Sequence, residues 1–319
     1  DPHFNHENDP QRLQAERAPL SFLHRLAEHL KAGREVVRGK PESFSRPDYN
    51  FRLIGNDGAA PEGTEEVQIS VRERGAPLDL IVSEAMILAN STWGLWMAEL
   101  GVPGIYRSQA SMLPGVKVRM GTRALPHAGL GVKAYAWSTS PLRRYTDLVN
   151  QWQIIACARH GKTAALVAPF KPKDADLFSI ISSFDATYFA YNDYQRAIER
   201  FWILKYVQQQ GLTEIEATLF KENLVRADHL PLVLPVVGAK DLPRNARVRV
   251  RLGDIDEVSL DIVGTVIERL DTPDDAPEDA DDSGSEDDDD AISGPIAIAM
   301  DTSEGAPDDQ VPSGETAAP

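Results

Sequence analysis

A chain of 319 residues, 42% of them hydrophobic, is long enough for one large domain plus a small one and apolar enough to bury a real core. The single cysteine, Cys157, excludes a disulfide framework and fits a reducing cytoplasm; no apolar run reaches membrane-spanning length and no secretory pattern is present. The formal net charge of −16 joins two regions of opposite character. From Asp271 onward there are 17 Asp and Glu and no Lys or Arg, which leaves 32 acidic and 33 basic residues before it. Within that near-neutral body, residues 101–160 hold Arg107, Lys117, Arg119, Arg123, Lys133, Arg143, Arg144 and Arg159 against Asp147 alone. A local field of that kind attracts polyanions whatever the overall pI. The first residue is Asp rather than Met, which suggests a sequence that continues upstream.

From Gln11 to about Arg38, leucines and Phe22 recur at helical spacing among charged residues, with Pro19 as a start or kink. Glu42 to Leu53 reads as extended and Val67 to Val71 as a strand. Ser83 to Leu100 predicts a buried, nearly all-round apolar helix capped by Ser83. The Gly-rich basic stretch 101–137 predicts an irregular binding loop. A helix is expected over Leu142–His160, and one or two more over 174–209, ending at Gly211. Alternation then replaces helical spacing. Glu214–Phe220, Leu224–Ala227, Leu230–Val237, Ala246–Leu252 and Val258–Ile267 read as five short strands, the pattern of an OB-type barrel. The expected class is α+β, with domains at 1–210 and 211–270 and a disordered acidic tail at 271–319.

The segment Ser138–Asn150, STSPLRRYTDLVN, carries the clearest chemical signal. Ser140 suits an N-cap and Pro141 the first helical residue, which would set Arg143 and Arg144 in the first turn. Cations are disfavoured there by the helix dipole, so a pair of them suggests an anion, and phosphate fits best. The competing reading is an ion pair with Asp147 one turn on.

PHAGLG from Pro126 and AYAWSTSPLRRYTDL from Ala134 resemble the signature of the ribonuclease II and ribonuclease R (RNB) family. RPDYNF from Arg46, SEAMILAN from Ser83 and GIYR from Gly104 do so as well, in the family's order. The resemblance covers about Leu20–Tyr206, the C-terminal part of a catalytic domain, and the barrel follows where the family carries an OB-type RNA-binding domain. It implies a hydrolase that degrades single-stranded RNA from the 3′ end to nucleoside 5′-monophosphates, with Mg²⁺ or Mn²⁺.

By motif position, Arg143 resembles the family's catalytic arginine. Glu84 falls where an acid contacts the terminal nucleotide, with a structural carboxylate as the alternative, and Phe44 where an aromatic stacks on bases, with a core Phe as the alternative. Arg107, Lys133, Tyr135, Arg144 and Arg249 complete the expected RNA contacts. Arg247, Arg249 and Arg251 share one face of a strand, suited to a phosphate backbone or simply to solvent. His127 and Trp93, Trp96, Trp137 and Trp152 read as structural. The family's metal-binding D-x-D-D-A cluster has no counterpart in the globular part; Asp287–Asp290 lies in the low-complexity tail and reads as a decoy. A non-hydrolytic RNA-binding protein on the same fold therefore stands as the alternative function. An interaction protein defined by its acidic tail is a third reading. No membrane partner is expected, and the sequence carries no signal for an oligomeric state.

Overall fold

The computed structural model of the chain describes residues 10–42, 48–55, 60–72, 76–113, 115–271 and 297–299. In chain order it runs α1 (Pro10–Arg38), β1 (Asp48–Ile54), β2 (Glu66–Arg72), α2 (Pro77–Glu99), β3 (Tyr106–Ser108), β4 (Arg119–Gly121), α3 (Tyr145–His160), α4 (Ala164–Val167) and α5 (Ala175–Gln209). There follow β5 (Glu214–Lys221), β6 (Leu224–Ala227), β7 (Val233–Val237), β8 (Arg247–Asp256), β9 (Asp261–Arg269) and β10 (Ala297–Ala299). Two compact units result, one of residues 1–86, 129–131 and 186–295, the other of 87–128, 132–185 and 296–319. The division falls within α2 and α5.

The first unit is built on a closed five-stranded barrel of order β5-β6-β7-β9-β8. Alternation drives it: Ile215, Ala217 and Leu219 of β5, Val225 and Ala227 of β6, Leu234 and Val236 of β7, and Val248 and Val250 of β8 all point inward and are buried. β5 pairs antiparallel with β8, Ala217 opposite Val248, and β7 pairs parallel with β9, Val236 opposite Gly264. At Gly264 a Cβ would stand 2.3 Å from Cγ1 of Val250, so only glycine lets β9 cross here. Ile203, Leu204 and Val207 at the end of α5 join the same core, with Phe51 and Ile69 of the β1–β2 hairpin packed against it. This packing explains why the unit takes in elements from the front of the chain.

The second unit pairs β3 with β4 antiparallel and β4 with β10 in parallel. Its core is made of Met97, Val102, Tyr106, Ala134, Ala136, Ala156, Cys157, Ala164 and Ala168. Small side chains dominate, so the backbones lie close together.

Several boundaries differ from expectation. α2 begins at Pro77 and has Asp79 in its first turn, a start signal six residues ahead of Ser83. Ser83 is inside the helix, its hydroxyl donating to the Leu80 carbonyl at 3.1 Å. Nor is α2 buried all round, since Leu78, Val82 and Leu88 are exposed. The stretch 101–137 is irregular but no surface loop: Val102, Ile105, Tyr106, Met120 and Leu130 are buried. Of the acidic tail, Asp271 is described and Ala297–Ala299 forms a strand; residues 272–296 and 300–319, including Asp287–Asp290, lie outside the described residues, as do residues 1–9 and Phe44.

Candidate nucleic-acid interface

The second unit holds its irregular backbone with buried amide side chains. Asn90 of α2 accepts the Ser138 N–H at 3.0 Å and donates to the Tyr135 hydroxyl at 3.2 Å and the Thr139 hydroxyl at 3.3 Å. Asn150 of α3 accepts the Ile105 N–H at 2.7 Å and donates to the carbonyls of Ile105 and Trp137, both at 2.8 Å. Gln153 donates to Pro103 O at 2.7 Å and accepts the Phe170 N–H at 3.1 Å. Backbone groups in a buried non-helical segment need partners, and these three side chains supply them. Sequence reasoning passed over all three. The available signal was an amide on the inward face of an otherwise apolar helix.

The segment Ser140–Arg144 is a turn rather than the start of α3. Its Arg143 and Arg144 N–H groups donate to the Ser140 carbonyl at 3.2 and 3.0 Å. The helix begins at Tyr145, and Arg144 occupies the N-cap position with extended backbone, φ −125° and ψ 116°. Asp147, in the first helical turn and fully buried, faces back onto this turn. One carboxylate oxygen accepts the Ser140 N–H at 2.8 Å and Nη2 of Arg144 at 2.9 Å; the other accepts Nε of Arg144 at 2.9 Å. A carboxylate is favoured at a helix N-terminus, and the bidentate fork with Arg144 is a strong pairing geometry.

Trp137 lies between two arginines, with Cζ of Arg107 3.9 Å and Cζ of Arg144 4.0 Å from its ring centroid. Two guanidiniums that close to one centroid would overlap on a single face, so they occupy opposite faces. Phe184 meets the same ring edge-on at 6.5 Å. His127 is buried beside Tyr135, ring centroids 6.0 Å apart. Burial raises the phenol of Tyr106 well above its ordinary range, and its hydroxyl donates to Gly94 O at 3.0 Å. Burial likewise raises the Cys157 thiol.

The predicted residues therefore divide. Arg143 is exposed, and among the described residues its guanidinium has no hydrogen-bond or ion-pair partner. Lys133 is also exposed. Arg107, Tyr135 and Arg144 are buried, with Arg144 committed to Asp147, the competing reading of the arginine pair. In the first unit, Glu84 is 2% exposed. It is gripped by Arg34, whose Nε lies 3.0 Å from Oε2 and whose Nη2 also reaches Oε1. Arg34 donates further to Leu130 O at 2.8 Å and to Glu42 at 3.1 Å. Burial works to lower the Arg34 pKa, yet the hydrogen bonds and charges of Glu84 and Glu42 prevail and hold it above its ordinary value. On the barrel, Arg249 pairs with Glu268 at 2.7 Å, Arg247 with Glu216 at 3.1 Å and Asp228 at 3.2 Å, and Arg251 with Glu214 at 3.4 Å. That face is charged but internally neutralised.

Among the described residues no group of three or more His, Cys, Asp and Glu is placed to hold a metal ion. The side chains described thus do not fit a Mg²⁺ or Mn²⁺ site. No helix among them is long and apolar enough to cross a membrane.

Residues 113–160 match the RNB domain family, a segment that includes Lys133, Tyr135, Trp137, Arg143, Arg144, Asp147 and Asn150. An uncharacterized ribonuclease of Synechocystis sp. is 30% identical over 215 residues, which is 60% of this chain and 30% of that protein. The Dss1 exoribonuclease of Candida glabrata, solved as an active-site mutant, superposes with a TM-score of 0.61 at 20% identity over 83% of this chain and 36% of its own. Ribonuclease R of Mycoplasma genitalium, solved with ribose-methylated single-stranded RNA, gives 0.60 at 13% identity over 78% of this chain and 49% of its own. The two structural likenesses are likenesses of fold. The chain spans less than half the length of each of the three.

Proposed function

Because this chain carries an RNB-domain segment and resembles the ribonucleases of that family, we propose that it acts on single-stranded RNA as part of a hydrolytic 3′-to-5′ exoribonuclease. The products are nucleoside 5′-monophosphates. The observation that carries the reading is Arg143: an exposed guanidinium without an internal partner among the described residues, inside the RNB segment. Its charge is available to a ligand, whereas that of Arg144, the next residue, is bound by Asp147. Phosphodiester cleavage builds negative charge on the phosphoryl oxygens, and a planar five-donor fork suits them in both ground and transition states. In this reading Arg143 binds and orients the scissile phosphate, and Lys133 adds attraction for the backbone. Mg²⁺ or Mn²⁺ belongs to the same proposal only as a cofactor of the exoribonuclease of which this chain is part, since the side chains described here do not hold it. The lone buried thiol supports action in a reducing compartment such as the cytoplasm.

One observation favours a second reading, a non-hydrolytic RNA-binding protein on the same fold: the described residues contain no acidic cluster fit for a metal. This chain alone is expected to be inactive, so the test gives the full-length protein an RNA with a single-stranded 3′ overhang and Mg²⁺, and follows both binding and mononucleotide release. Release that Arg143→Ala abolishes supports the exoribonuclease. Tight binding without release supports the second reading. Absence of binding, or a variant indistinguishable from the parent in both measurements, refutes the role of Arg143.

A further inference from the structure

An exposed cation is useful to a ligand in proportion to how well its backbone is held. Arg143 sits on a turn, and a turn of this length at a surface has other conformations to sample unless something restrains it. Here the two backbone hydrogen bonds to the Ser140 carbonyl are joined by one buried carboxylate. Asp147 binds the N–H of Ser140 at one end of the turn and the guanidinium of Arg144 at the other. Arg144 is held further by Trp137, whose ring centroid lies 4.0 Å from its Cζ, while Arg107 Cζ lies 3.9 Å from the same centroid. Trp137 is held in turn through its carbonyl, which accepts from Asn150 at 2.8 Å. Drawing Arg144 out to meet RNA would strand a fully buried carboxylate. Such a charge is costly without its partner.

Resting on the reading of Arg143 as a phosphate ligand, we propose that Asp147, Arg144 and Trp137 are positioning residues: they fix the Ser140–Arg144 turn so that Arg143 alone is presented to the RNA backbone. The apparent pair of arginines is then one ligand and one brace. The brace needs the fork geometry of arginine and not merely its charge, because two nitrogens must reach two carboxylate oxygens while the plane stacks on an indole.

The experiment measures the affinity of the whole chain for a single-stranded RNA oligomer by fluorescence anisotropy over a salt series, together with hydrogen exchange at the Ser140 and Arg144 amides. Arg143→Ala should reduce the slope of log affinity against log salt by about 0.7, the loss of one phosphate contact on a single strand. Asp147→Asn and Arg144→Lys should each weaken binding about ten-fold, the order of re-fixing one residue's backbone on binding, and should deprotect both amides. Arg143→Ala combined with Asp147→Asn should lose no more than Arg143→Ala alone. Trp137→Phe keeps an aromatic face under Arg144 and should give a smaller loss in a folded chain. Three results overturn the proposal: Arg144→Lys binding as tightly as the parent, an additive double variant, or deprotected amides with unchanged affinity. A parent chain that shows no RNA binding overturns the functional reading itself, whereas a parent that binds with additive variants overturns only the brace.

Discussion

Replacing Glu84 with alanine should destabilise the chain by about 3 kcal/mol, although its motif position suggests a contact to RNA. The side chain is 2% exposed and receives two hydrogen bonds from Arg34. Breaking a buried ion pair by removing one partner costs about 3–5 kcal/mol. Arg34 retains Glu42 at 3.1 Å and Leu130 O at 2.8 Å, which places the loss near the low end of that range. In urea, with a slope of about 3 kcal/mol/M, the unfolding midpoint followed by tryptophan fluorescence should fall by about 1 M. Glu84→Gln keeps an acceptor for Arg34 and leaves its bonds to Glu42 and Leu130 O in place, so it should lose less than Glu84→Ala. A midpoint shift below about 0.2 M for Glu84→Ala, or a Glu84→Gln variant less stable than Glu84→Ala, would refute the reasoning. An RNA-binding assay on Glu84 alone would record unfolding as lost contact, so the two measurements belong together.

Gly131→Ala should be more damaging than its size suggests. Its φ is +67°, and a Cβ would stand 2.3 Å from the Arg34 carbonyl oxygen; a loss of about 3 kcal/mol in chemical denaturation is expected, and a neutral result would contradict the close approach. Tyr106, with its phenol raised by burial, should remain un-ionised at pH 11 in an ultraviolet titration of the chain's 8 tyrosines. The unfolded chain then binds fewer protons than the native one, so this residue makes stability fall as pH rises above about 10. Full ionisation of all tyrosines below pH 11 in the folded chain would count against its burial. Arg251→Gln breaks an exposed pair with Glu214 and should cost under about 0.5 kcal/mol, with RNA affinity changed less than about two-fold. A ten-fold loss would make the barrel face an RNA contact.

The barrel was legible because inward and outward residues alternate on every strand, and Gly264 and the paired carboxylates changed nothing in that pattern. α2 was misjudged at its start because Ser83 resembles a cap, while Pro77 and Asp79 hold the earlier position. The arginine pair was recognisable as unusual, yet adjacency in sequence could not divide it. What separates Arg143 from Arg144 is the reach of Asp147 back across the turn and the indole beneath, and both are tertiary facts. The same holds for Glu84, whose partner Arg34 is 50 residues away in sequence. The stretch 101–137 looked like a loop by composition. Its burial is possible because Asn150 and Gln153 satisfy backbone groups at Pro103, Ile105 and Trp137, a service that hydrophobic periodicity does not report.

The central claim is that an exposed Arg143 meets the phosphate of single-stranded RNA. Its most direct test compares equilibrium RNA binding by the parent chain, Arg143→Ala, and Arg25→Ala, which removes another exposed cation, from α1. Arg143→Ala should weaken binding about ten-fold and give a shallower salt dependence, with Arg25→Ala close to the parent. Equal effects from the two substitutions, or none from Arg143→Ala, would contradict it.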